Sequence, residues 1–176
     1  IRYNVTASKT SATALGTKAV ASAANAAAIG TSASASAKDT FAAGTSAAAS
    51  AEGATAVGYL VNATGNQSFG AGSNTSVSGA AAVGIGYKVT ASGERSISIG
   101  NNDGNNTTGA TASNAIAIGT GTTASASGAI AVGKNVQNAK DNTTAIGVNL
   151  SASESATGSV LMGYNSTTQA QQSVNI

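Results

Sequence analysis

Residues 113–133 read SNAIAIGTGTTASASGAIAVG, and the organisation of the whole chain can be worked outward from them. Ile116 and Ile118 alternate with Ala115 and Ala117 before Gly119, and after a run of Thr, Ala and Ser the pattern returns as Ile130, Ala131, Val132 and Gly133. Alternation at period two marks a strand with one buried face. The same small-x-apolar-Gly phrase recurs at Gly16, Gly30, Gly44, Gly58, Gly70, Gly84, Gly100, Gly119, Gly133, Gly147 and Gly163, at spacings of 14, 14, 14, 12, 14, 16, 19, 14, 14 and 16 residues. A period near 14 along the whole chain makes this a repeat array.

Position by position, each repeat predicts two strands. The residue before each glycine is apolar every time, from Leu15, Ile29 and Val57 to Ile118, Val132, Ile146 and Met162. Two residues earlier stand Phe41, Ile97, Ile116, Ile130 and Val160, among smaller residues. These positions are read as the inward face of the first strand. Five residues after the glycine come Ala21, Ala35, Ala49, Ala63, Thr75, Val89, Ala124, Asn138 and Ala152, a second strand with a smaller inward face. Glycine belongs at the corner between them, where positive φ costs it nothing. Two strands and two corners make one coil, and parallel stacking at about 4.8 Å turns about a dozen coils into a body some 50–60 Å long. The expectation is therefore an all-β parallel roll, a single domain over residues 1–176, resting on stacked glycine corners and on aliphatics lining a narrow interior. The phrase runs out through both ends, so the array is expected to continue beyond them.

Composition agrees with a thin body. Only 3% of residues are aromatic and 8% charged, and there is no Pro, Cys, Trp or His, against about 25% charged in an average domain. Lys38, Asp39, Glu52, Glu94, Arg95, Lys140, Asp141 and Glu154 cluster around the second corner, and Lys18 and Lys134 at the first, while Lys88 falls mid-strand. The five extra residues of the 19-residue repeat align within residues 101–106, and the 16-residue repeats place their extra pair at the other corner.

These features exclude several function classes. A net charge of +2 without a basic stripe, and six Tyr and Phe that do not alternate with cations, give nucleic acid nothing to hold. Without Cys there is no disulfide framework or thiolate metal site, and no stretch of 18 apolar residues suggests membrane insertion by this segment. Catalysis lacks histidine, cysteine and any evident pair of carboxylates, so no enzyme, cofactor or metal is expected. Hexapeptide acyltransferases share a solenoid plan but repeat every six residues per face and use a catalytic His. A nonapeptide calcium roll needs an Asp in nearly every repeat, whereas Asp103 stands by itself.

The phrases SNAIAIG and RSISIG, each followed by a strand of small residues, resemble the head repeat of YadA-like trimeric autotransporter adhesins. The resemblance covers essentially the whole chain, although no neck motif, heptad stalk or barrel segment accompanies it. It implies a left-handed parallel β-roll, a homotrimer, and display on a stalk anchored in the outer membrane of a Gram-negative bacterium. The implied partners are collagen, fibronectin, laminin or host cell receptors, met by multivalent adhesion. Two alternatives stand beside it: a structural spacer of a surface fibre or phage tail, and an ice-binding solenoid, which Thr disfavours because it forms no unbroken ladder at one repeat position.

Candidate ligand contacts are few on so bland a surface. The segment Asn101, Asn102, Asp103, Asn105 and Asn106 reads as a polar loop tip and, more sharply, as a protrusion that meets a partner. Tyr59, Tyr164 and Ile85 follow a glycine directly, and Tyr87 lies in the next strand; such aromatics serve as contact points or pack between neighbouring chains. Arg95 is a further candidate contact, although with Glu94 it reads first as a solvated corner pair, and Phe41 and Phe69 read as core packing.

Overall fold

A computed structural model describes residues 4–102, 104, 108–152 and 157–165. Every strand pairing in it is parallel, and each joins a segment to its counterpart in the next coil. The first-strand ladder runs Thr13–Leu15, Ala27–Ile29, Phe41–Ala43, Thr55–Tyr59, Phe69–Ser73, Val83–Tyr87, Ile97–Asn101 and Ile116–Thr120. It passes through the first halves of Ile130–Asn138 and Thr144–Ala152 and ends at Val160–Tyr164, eleven turns among the described residues. The second ladder climbs beside it from Thr6–Ala7 through Asn62–Ala63 and Thr90–Ala91 to the second halves of the same two nine-residue strands. The chain is a parallel β-solenoid.

Partner residues fix the register and correct the glycine phrase. Phe69 pairs with Thr55 and with Val83, and Gly72 pairs with Gly58 and with Gly86. The corner glycines of these two coils are thus Gly72 and Gly86, not Gly70 and Gly84, and the irregular 12 and one of the 16-residue spacings dissolve into 14s. The remaining irregularities sit at corners, as expected. Both Thr90↔Gly109 and Asn101↔Thr120 step by 19 while Gly109↔Thr123 steps by 14, which puts the five extra residues between Asn101 and Gly109. Likewise Asn138↔Ala152 steps by 14 and Thr144↔Val160 by 16, so that extra pair falls between Ala152 and Val160.

The corners follow a second rhythm. Positive φ occurs every seven residues from Asn4 through Ser11, Lys18, Asn25, Ser32, Asp39, Ser46, Gly53, Leu60, Gln67, Asn74, Ala81 and Lys88 to Arg95. Each coil turns twice through the left-handed region, where Asn is the side chain best tolerated after Gly. Lys88 at φ 52 is one of these corner residues rather than a mid-strand exception. The phrase glycine meets a harsher constraint. At Gly58 (φ 126) or Gly72 (φ 121), an added Cβ would collide with the backbone carbonyl of the next coil's glycine.

The interior is not lined by the residues the alternation suggested. At four positions per coil, counted from the corner glycine as −4, −2, +3 and +5, side chains point inward: Ala26, Ala28, Ala33 and Ala35 are all 0% exposed. The same four positions hold Ala54, Ala56, Val61 and Ala63 in a later coil, and Ala115, Ala117, Thr122 and Ala124 in another. The expected second-strand face is therefore buried as read. The large apolar residues of the first strand are outside instead: Ile29, Phe41, Phe69, Ile118 and Ile146 are 37–38% exposed and Leu15 55%. The physical reason is thickness: the space between the two sheets is filled mostly by methyl groups and hydroxyls, with a few Val and Leu150, and the Ile and Phe side chains stand outside it.

At Val61 and Val77 one wall of the interior grows and the facing wall shrinks. Gly70 and Gly84 occupy the −2 position opposite Val61 and Val77; a Cβ on Gly70 would lie 2.8 Å from Val61 Cγ1 and one on Gly84 2.6 Å from Val77 Cγ2. Some buried side chains bond back to the backbone, although the buried hydroxyls of Ser68, Ser96 and Ser98 make no hydrogen bond. Thr75 and Thr122 donate to the carbonyls of Gly86 and Gly133 at 2.8 Å, and the Asn138 amide donates to Thr143 and Ile130 carbonyls at 2.7 and 2.9 Å. One buried methyl adds only about 0.8 kcal/mol, so the continuous backbone ladder and neighbour contacts carry the fold.

Size complementarity across the interior predicts a double-mutant result. Gly70→Ala and Val61→Ala should each lower the melting temperature, by crowding and by a cavity respectively. The double variant, which restores the Ala-facing-Ala packing of other coils, should recover about 1 kcal/mol or more relative to the sum. Gly72→Ala should cost about 2 kcal/mol or more with no such rescue, because its obstacle is backbone at positive φ.

Candidate interaction face

The outward side of the first strands is a largely apolar face, interrupted in one row by Thr13, Thr55 and Thr144. Its −3 row carries Phe41, Phe69, Val83, Ile97, Ile116, Ile130 and Val160, and its −1 row Leu15, Ile29, Val57, Ile85, Ile99, Ile118, Val132, Ile146 and Met162. All are half-buried or exposed. These side chains stand there because inward and outward alternate along a strand, and the interior has already taken the small residues. Eleven coils at about 4.8 Å extend the face for about 50 Å, a strip several hundred Å² in area, the size at which exposed apolar surface marks an interaction site.

A row of tyrosines borders this face at the +1 position. Tyr59 pairs with Ser73, Ser73 with Tyr87 and Tyr87 with Asn101, while Tyr164 continues the same row beyond Val148. The sequence register had separated Tyr87 from Tyr59 and put Ile85 in its place; the pairing puts the two tyrosines on one row and Ile85 among the outward aliphatics. Tyr59, Tyr87 and Tyr164 are 53%, 44% and 68% exposed. Lys88 Nζ lies 5.2 Å from the Tyr87 ring centroid, within cation–π range. Asn101 is exposed on the same row, and beside it Asn102 Oδ1 accepts from the Gly104 backbone N–H at 2.9 Å, closing a local turn. Asp103, Asn105 and Asn106 lie outside the described residues.

Arg95 belongs to the opposite corner. It pairs with Glu94 at 2.8 Å and donates through Nε to Asn114 Oδ1 of the next coil at 3.0 Å. The same corner holds Lys38 between Asp39 at 2.9 Å and Glu52 at 3.5 Å, with Asn25 donating to Asp39 at 2.7 Å. The Asn25 hydrogen bond, followed by the one from Lys38, holds the Asp39 carboxyl below its usual range. A group depressed in this way contributes above its ordinary pKa, and that contribution fades as pH falls through the depressed value. These exposed pairs are surface stitching. Asp39, Glu52, Gly53, Asn66 and Gln67 rim a depression there, and among the described residues no cluster of three carboxylates is placed to hold a metal ion.

Two features escaped sequence reading. Leu60 is a bulky residue at φ 53 and 41% exposed, next to Tyr59; the available signal was a Leu where other coils have Lys18, Ser32, Ser46 or Asn74. The second is a hydroxyl ladder at the +6 position. Ser8, Ser22, Ser36, Ser50, Thr64, Ser78, Ser92, Thr111 and Ser125 occupy it in nine successive coils, each backbone N–H donating to the next coil's +5 carbonyl. Thr alone forms no unbroken ladder, as expected, but Ser and Thr together do, and except for half-buried Ser22 all are exposed.

Residues 7–33, 35–60, 78–102 and 110–135 match the family described as YadA head domain repeat (2 copies), together more than half of the chain. No curated protein sequence matches it.

Leu60→Asn should remove strain at a left-handed corner and raise stability by about 0.5–1 kcal/mol, read from thermal melting. A fall in melting temperature would show that the Leu60 side chain packs favourably where it stands.

Proposed function

The chain belongs to the YadA head domain repeat family, and from that premise we propose that it is the non-catalytic head of a bacterial surface adhesin, built from three identical left-handed rolls packed through their outward aliphatic rows. The observation that supports this most is the apolar face itself. A soluble monomer rarely keeps a strip of Ile, Val, Leu and Phe against water along its whole length, whereas three copies turned toward a shared axis bury it on every chain. The interior adds to the case, because methyl groups contribute too little burial for a comfortable margin. Self-association supplies the missing apolar area at about 25 cal/mol per Å².

On this reading the charged second corners and the hydroxyl-bearing strands face outward, on a stalk anchored in the outer membrane of a Gram-negative cell. Shallow sites for collagen, fibronectin, laminin or host receptors would each be weak. Repetition within a trimer and across a cell raises avidity by about 10²–10⁴.

Light scattering on the purified chain should give three times the 16.6 kDa chain mass, and Ile29→Ser, Ile118→Ser and Ile146→Ser combined should reduce it to one chain while parallel-β circular dichroism persists. An unchanged mass in the triple variant would show that the aliphatic rows are not the interface. Attachment is measured separately on surfaces coated with collagen, fibronectin, laminin or epithelial cells.

A second reading, ordering of water as in an ice-binding solenoid, has the nine-coil hydroxyl ladder in its favour and the scarcity of Thr within it against. Thermal hysteresis together with no attachment to any coated surface would replace the adhesin reading.

A further inference from the structure

We infer that this chain carries N-linked sugar, with the exposed asparagines of its Asn-x-Ser/Thr tripeptides as acceptors. The chain has 16 Asn, and nine of them begin such a tripeptide: Asn4, Asn62, Asn66, Asn74, Asn105, Asn106, Asn142, Asn149 and Asn165. With 46 Ser and Thr among 176 residues, composition by itself would give about four, the background against which a sequon motif is judged.

All seven acceptors among the described residues are exposed; of the described asparagines outside such tripeptides, Asn25, Asn101 and Asn114 are exposed too, while Asn138 is buried and Asn102 and Asn135 are half-buried. Five of the seven, Asn4, Asn74, Asn142, Asn149 and Asn165, sit at left-handed corners with φ between 51° and 55°. None lies in the aliphatic rows or the tyrosine row, so burying the apolar face against other copies leaves every one accessible. Stacked corner amides also tolerate the change. Asn149 donates one N–H to Asn165 Oδ1 at 2.8 Å, and a glycosylated amide keeps one N–H for that bond.

The step needs a sugar donor activated as a glycosyl diphosphate, nucleotide- or lipid-linked, and a transferase of the producing cell. The Asn Nδ2 forms a bond to the anomeric carbon as the bond from that carbon to the diphosphate oxygen breaks. The diphosphate leaves with the bonding pair, and one amide proton passes to a base of the transferase or to water.

The test is peptide mapping by mass spectrometry on the protein isolated from the cell that naturally makes it. Peptides holding Asn62, Asn66, Asn74, Asn142 or Asn149 should be heavier by one or more hexose or N-acetylhexosamine units, the increment localised to Asn. Asn74→Gln should remove the increment there, and so should Ser76→Ala, which leaves Asn74 in place and changes only an exposed hydroxyl. Unmodified masses at all of these sequons, sugar on Ser or Thr instead, or an increment on Asn74 that survives Ser76→Ala would each overturn the inference. None of these readouts depends on adhesion, so failure here and failure of the adhesin reading are separately visible.

Discussion

The contact on which this molecule depends is the passage of one corner backbone directly over the next. At the phrase glycine, the carbonyl of the following coil occupies the volume that any side chain would need. That single approach sets the glycine, the coil spacing, the in-register parallel pairing and the left-handed turn every seventh residue. Much else in the coil is a response to it: with the corners in contact, the space between the two sheets is filled mostly by Ala, Ser and Thr, with Val61, Val77, Val89, Val136 and Leu150 as its larger occupants.

The crowding inside has a counterpart outside. Aliphatic residues expelled from the interior are gathered, coil after coil, on one face of the first strands. In an ordinary domain the apolar residues of a strand report where its own core lies. In a roll this thin they stand on its outside, and the family match to head domain repeats agrees with the parallel β-solenoid that puts them there.

Much of the architecture was legible in the sequence, for reasons that can be located. The 14-residue period, the inward Ala21, Ala35, Ala49 and Ala63, and the insertion after Gly100 all followed from spacing. Which side of the first strand is inside did not follow, because Ile116-Ala117-Ile118 fixes an alternation but not its polarity. The usual rule that larger apolar residues go inside gives the wrong sign where the interior is lined mostly by Ala. Phe69-Gly70 and Val83-Gly84 misled for a related reason: those glycines make room for Val61 and Val77, and imitate the corner phrase two residues early. The tyrosine row was hidden by that same slip, since Tyr59 and Tyr87 share a row only when Gly58 and Gly86 are equivalent.

The two irregular coils carry a different consequence. Five residues enter between Asn101 and Gly109, and two between Ala152 and Val160, yet pairing resumes beyond each with its partners unchanged. Length added at a bend is invisible to the sheets on either side. A lineage can therefore lengthen one bend at a time while the ladder above and below it keeps its step.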